Sequence, residues 1–258
     1  MTNRIGAIAF NTFREAVRDR VLYNLILFAL LMIGSSLLLG QITIAVQKQL
    51  LINLGLTAIS IFGVLISIFI GIGLVSKEID KRTLYTVLTR PVARWEFIVG
   101  KYFGLVGTLI VNAGLMTIGF FVALLYLMHG LQAGDLSILA AVYFVLLQFT
   151  MMTAIALLLS SFSTPIESAI LSFAIFVVGS FSGDLRTFAE SAKGATHFIA
   201  MGFSYLIPNF SALNYIASVA HGNAIPGHMI ALNTAYALLY AGATICGAGL
   251  IFQHRNLK

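Results

Sequence analysis

The sequence predicts an all-α polytopic membrane protein of six transmembrane helices, and three observations carry that prediction. Of the 258 residues, 59% are hydrophobic and 9% charged, and the mean hydropathy is +0.98, whereas soluble domains carry about 25% charged residues. Six apolar runs, near residues 21–41, 51–75, 97–128, 136–160, 166–182 and 228–252, have the length an α-helix needs to cross the hydrocarbon core. The basic residues gather between those runs rather than along one solvated face, so the net charge of +6 reports topology and not a nucleic-acid partner.

Taken in order, residues 2–20 place Ile5, Ala9, Phe13, Ala16 and Val17 on one side, with Arg4, Arg14, Arg18 and Arg20 elsewhere. This pattern predicts an N-terminal amphipathic helix lying in the membrane interface. It lacks the short apolar core and small-residue cleavage site of a signal peptide, so the first span is expected to act as its own targeting signal. The third run is longer than a bilayer requires, and its Gly100 and Gly104 form a G-x-x-x-G that permits close helix approach. No internal repeat or Pro/Ser/Gly-rich linker divides the chain, so residues 1–258 read as one membrane domain.

Orientation follows from the basic residues, because cytoplasmic loops carry the excess. With the N-terminus inside, the inner segments hold 12 Lys and Arg residues and the outer segments 3, namely Lys48, Arg186 and Lys193. Both termini are therefore expected in the cytoplasm, and the protein in the plasma (inner) membrane.

The segment 77–101 holds six of the fifteen basic and three of the nine acidic residues. Read as a helix from Ile79, it sets Ile79, Leu84, Val87 and Leu88 on one face and Asp80, Lys81 and Arg82 opposite. Pro91 is expected to close it, and Trp95 to sit at headgroup level before the third span. The external connection 183–227 is apolar for a loop and predicts short helices folded back on the outer surface, broken at Pro208–Asn209, with a second short helix over 211–220.

The residues Glu78, Thr83, Leu84, Leu88, Pro91, Val92, Arg94, Gly100 and Lys101 resemble the cytoplasmic loop of permease subunits of ABC exporters of the second type, which runs roughly E, T-L, L, P-[VI]-x-R, G-K. One departure is Arg82, where many relatives carry glycine. The resemblance covers about 25 residues closely and, more loosely, the six-span layout. It implies that the amphipathic segment is a coupling helix docking on a separate cytoplasmic ATPase through Glu78, Asp80, Arg82, Thr83, Leu84, Leu88, Pro91 and Arg94. It implies further that the N-terminal helix touches that ATPase. The external helices, with Phe203, Tyr205, Pro208 and Asn209, would close the path from outside. ATP and magnesium would then be bound by the partner chain, and no cofactor by this one. The permease would pair with a second copy or a paralogue.

Other chemistry finds little support. Gly100–Lys101 is followed by Tyr102 and opens a span, so it is not the G-x-x-x-x-G-K-[ST] phosphate cradle of an ATPase. Ser180-Phe181-Ser182-Gly183 is a weak likeness to the rhomboid protease G-x-S-G, with neither His221 nor His228 well inside a span. His197, His221 and His228 are too widely spaced for a metal site, and Cys246 is the only cysteine. The spans hold essentially no ionisable groups; Glu167, just after Pro165, is expected to cap its own helix. That absence argues against a proton-coupled secondary transporter. The reading is an ATP-driven permease subunit, not itself an enzyme. Its competitor is a non-transporting membrane scaffold whose basic loop binds a cytoplasmic partner or anionic lipid.

Overall fold

The computed structural model describes residues 2–39, 44–80, 94–128 and 133–254. Its helices are α1 (Thr2–Leu39), α2 (Ile44–Asp80), α3 (Arg94–Met128), α4 (Ser137–Ser160), α5 (Pro165–Ser180), α6 (Ser182–Ser191), α7 (Ala195–Leu206), α8 (Ile216–Ala220) and α9 (Gly227–His254), with 3-10 turns at Ala133–Leu136 and Ser211–Leu213. No strand occurs among the described residues. Among the described residues four helices, α2, α3, α4 and α9, are long and apolar enough to cross a membrane, and α5 with α6 makes a fifth if the bent pair counts as one span. The chain is an integral membrane protein.

The bundle is built around α4. A helix apolar all round has no face to give to water or lipid and belongs in the middle; of the most apolar stretch of α4, 78% is buried, against 22% for α9. Helices α2, α3, α5, α8 and α9 all pack on it. Ser60 against Gln148 and Gly71 against Ala156 show α2 running parallel to α4, and Tyr143 against Thr234 and Leu158 against Gly247 show the same for α9. Tyr102 reaches the carbonyl of Thr150 while Phe97 and Ile98 pack near Leu158, so α3 runs the other way.

The G-x-x-x-G of the third run is a contact surface. A Cβ on Gly100 would lie 2.8 Å from Cβ of Ile8, and one on Gly104 would lie 2.5 Å from the carbonyl oxygen of Ala9. Gly107 meets Phe13 and Gly119 meets Phe28, so α1 and α3 lie side by side and parallel. This corrects the expectation of a separate N-terminal helix in the interface. No Gly or Pro falls between Arg14 and Ile33 to break the helix, and residues 5–13 have the small-residue groove of α3 to bind. α1, at about 57 Å, and α3, at about 52 Å, both exceed the roughly 30 Å hydrocarbon thickness.

Three further boundaries differ from expectation. α2 does not stop near Val75 with a new helix from Ile79; it continues to Asp80. The fifth run is a helix of 16 residues, about 24 Å long, that turns 55° into α6 instead of completing a straight span. Its start matches expectation: Thr164 and Glu167 form a reciprocal capping box, with Pro165 at the first position. The predicted helix over 211–220 is split, because Asn214 is extended and its side-chain oxygen accepts from the amide of Ile216.

One end of the bundle gathers residues 5–13, the start of α3 and the end of α9, where Ala248 packs with Phe97, Ile98 and Leu158. The first and last described turns of the chain, Asp80 at the end of α2 and Arg94 at the start of α3 therefore share that end.

Candidate functional site

At the opposite end, a cavity of about 350 Å³ opens between α2, α4, α5 and the 210–217 segment. Its polar lining is Asn53, Thr57 and Ser60 from α2, Gln148 from α4, Ser180 from α5, and Ser211 and Asn214 above. Apolar walls come from Ile61, Val145, Phe176, Phe210, Leu213 and Ile216. No Lys, Arg, Asp or Glu is among the described lining residues. Asn53, Thr57 and Ser60 recur at i, i+4 and i+7, which puts three polar side chains on one face of a helix whose other residues are mostly apolar.

The buried pair Ser60 and Gln148 holds α2 to α4: the serine hydroxyl donates to Oε1 at 3.1 Å. Such bonds between membrane helices contribute on average about 0.6 kcal/mol. The pair takes up the glutamine oxygen, and Gln148 also lines the cavity. Toward the same end, Lys48 Nζ and Asp135 Oδ1 pair at 2.7 Å and tie the start of α2 to the turn before α4.

The roof is Pro208–Leu213. Asn209 is its anchor: Oδ1 accepts from Ser182 Oγ at 2.8 Å and from the amide of Ala212 at 3.0 Å, while its own amide donates to the hydroxyl of Tyr236 at 2.8 Å. Asn233 on α9 adds a bond to the carbonyl of Ala212 at 3.0 Å. Gly179 allows the roof to lie directly on α5, since a Cβ there would stand 2.6 Å from the carbonyl oxygen of Pro208, and the Gly179 carbonyl accepts from the amide of Phe210. Phe210 is thereby buried, 1% exposed, with its ring 5.9 Å from that of Phe176.

Of the four external residues singled out from sequence, Pro208 and Asn209 belong to this roof. Phe203 and Tyr205 lie on α7, 57% and 70% exposed, away from the cavity; Tyr205 stacks under Arg186 of α6. Of the eight docking residues, Arg82, Thr83, Leu84, Leu88 and Pro91 lie outside the described residues. Glu78 and Asp80 fall on the last turn of α2, and Arg94 begins α3. The neighbouring Glu96 and Lys101 are both buried, Lys101 with its ammonium 5.2 Å from the ring centre of Phe97.

The serines of the protease-like motif have other partners: Ser180 donates to the carbonyl of Phe176 and Ser182 to Asn209. No group of three or more potential metal ligands occurs among the described residues. His197 and His221 contact backbone carbonyls of Ala189 and Ala217.

The site is thus a polar cavity with no charged residue in its described lining, under a roof pinned by Asn209. The chain belongs to the family described as ABC-2 family transporter protein, whose model matches residues 7–252. Comparison with curated proteins finds no match.

Proposed function

We propose that this protein is the membrane-spanning permease subunit of an ATP-driven ABC exporter, with six spans and both termini in the cytoplasm, powered by ATPase subunits on separate chains. Family membership supports an ABC ATPase as partner in general, and the observation that carries the reading to this chain is the polar cavity at one end of the bundle, opposite the end where α2 stops at Asp80 and α3 begins at Arg94. A transporter working by alternating access needs both features at opposite ends: a pocket that opens to one side, and a docking element that moves the helices lining it. Helix α2 spans the two, contributing Asn53, Thr57 and Ser60 to the cavity and ending at Asp80.

A symmetric pair of permeases fits this arrangement. Leu54, Thr57, Ile61 and Phe69 form an exposed stripe down α2, and Thr57 and Ile61 of that stripe also line the cavity. Hydrocarbon against this stripe would meet the Thr57 hydroxyl, whereas a second copy would cover it. The test is purification of tagged protein in detergent, with the mass of the complex measured. Two permeases with two ATP-hydrolysing subunits are expected; the permease alone, or with a non-hydrolysing partner, supports a scaffold instead.

Two predictions arise here. In a Cys246→Ser background, single cysteines at Thr89 and Ala133 are expected to react with an impermeant thiol reagent only at Ala133 in intact cells; labelling at Thr89 reverses the orientation. If 81–93 docks through an apolar face, Leu84→Asp or Leu88→Asp buries an unpaired charge at a cost of a few kcal/mol, and ATPase turnover stimulated by the permease falls. Lys81→Gln removes a solvated charge and changes little, within about 0.5 kcal/mol. Arg94→Lys loses the two-pronged hydrogen bonding of a guanidinium to a carboxylate and lowers turnover without changing charge. Loss that simply tracks net charge across the four variants contradicts a docking helix.

A further inference from the structure

We propose that the cavity between α2, α4, α5 and the 210–217 roof is a binding site for an uncharged, multiply hydroxylated or amide-bearing group, and that it discriminates against charged ligands. The inference deepens the permease reading and rests on it for the meaning of binding, though not for binding itself.

The cavity lining has hydrogen-bond donors to spare and no charged residue among the described residues. Most polar side chains in the described bundle are spent on their own helices: Ser67, Thr108, Thr117, Thr153 and Thr244 each bond a carbonyl three or four residues back. In the cavity lining Ser180 does the same, but the other polar residues do not. Gln148 uses its oxygen on Ser60, and Asn214 its oxygen on the amide of Ile216, which leaves two NH2 groups as donors. Asn53, Thr57 and Ser211 add an amide and two hydroxyls with no side-chain hydrogen bond among the described residues. These groups line the cavity with hydrogen-bonding capacity left for a ligand.

The partner is neutral. A bound anion or cation would lie beside Phe176, Phe210 and Ile61 with no counter-charge in the lining, and a desolvated charge without one is strongly disfavoured. Hydroxyl or amide groups donate and accept at once, which matches a lining of amides and hydroxyls. The volume, about 350 Å³, lies at the small end of small-molecule sites, roughly 300–1,000 Å³. The apolar wall of Phe176 and Phe210 takes the carbon skeleton of the ligand. Besides Ile61, the lining residues Ser180, Asn214 and Ala217 are exposed, so the cavity is open beyond the α2 stripe and the neutral group can arrive as the head of a membrane amphiphile or as a free polyol.

The experiment uses the purified full chain in lipid nanodiscs and an alkyl glucoside carrying a photoreactive diazirine in its tail. Label is expected on α2 near Asn53–Ile61 and on the 210–217 segment, and is expected to fall at least tenfold in Gln148→Leu and in Thr57→Val. The second variant lies at the exposed rim and keeps the reading testable where the first does not fold. The same tail with a sulfate or a trimethylammonium head is expected to label less than a tenth as well. Competition by glucose identifies a free polyol as the source, and failure to compete identifies a membrane amphiphile; either keeps the neutral ligand. Equal labelling by the charged heads, or labelling indifferent to both substitutions, overturns the proposal. No ATPase is present in this assay, so a failure to co-purify one leaves the labelling intact and counts against the permease reading alone.

Discussion

Replacing Gly104 with leucine is expected to lower the thermal stability of the purified protein markedly. The first side-chain atom would stand 2.5 Å from the carbonyl oxygen of Ala9 and 2.7 Å from Cβ of Thr12. A flexible side chain can yield to such an intrusion; a helix backbone cannot, so α1 must move off α3 along the line that runs from Ile8 to Phe28. Overpacking in a close-packed interior costs about 1–3 kcal/mol and at times more, and here it also separates a long pair of parallel helices. A fall in melting midpoint on the order of 5 °C or more is expected. Gly114→Ala, on the same helix with nothing within 4 Å of the added carbon, is the control: alanine is the better helix former by about 1 kcal/mol, so stability is expected to hold or rise. Equal melting of the Gly104→Leu variant and the parent would contradict the parallel α1–α3 contact.

The second large effect is expected at Asn209. Truncation to alanine removes the oxygen that accepts from both Ser182 and the amide of Ala212, and Ser182 is buried, 4% exposed. A buried donor left without its partner costs about 1–3 kcal/mol, and tenfold in an equilibrium is about 1.4 kcal/mol. Local opening of the roof is therefore expected to become about ten to a hundred times more frequent, read as faster amide hydrogen exchange at Phe210 and Leu213 while the exchange of α4 is unchanged. Tyr205→Ala, on the exposed face of α7, is expected to leave those amides as they are. If instead Tyr205→Ala speeds them and Asn209→Ala does not, the roof is held by α7 and not by the asparagine.

The cavity was partly legible in the sequence. Asn53, Thr57 and Ser60 recur with helical period inside an apolar run, and Gln148 is the only amide in the fourth run. A search confined to ionisable groups passes over them, because neutral polar residues are common in membrane helices, where most bond their own backbone as Thr108 and Thr153 do. Nothing local distinguishes a serine that reaches across to a neighbour from one that turns back on its own helix. Phe210 carried even less signal, as one of 20 phenylalanines whose burial depends on Gly179 lying beneath it.

By itself the sequence determined what hydrophobicity and local backbone chemistry decide. Membrane insertion follows from apolar runs too long to solvate, and the start of α5 from Thr164, Pro165 and Glu167, whose capping bonds close within four residues. The length of α3 and the small-residue groove at Gly100 and Gly104 were equally readable. Only the tertiary structure decided which surface filled that groove, and so that residues 2–20 continue into the first long helix. It likewise decided that the fifth run turns after Ser180, where Gly179, Ser182 and Asn209 pin the roof, and that α2 and α4 present their amides to one space. Each of these outcomes depends on contacts between residues tens of positions apart, such as Ser60 with Gln148 and Ser182 with Asn209. No periodicity within a single helix encodes a partner on another.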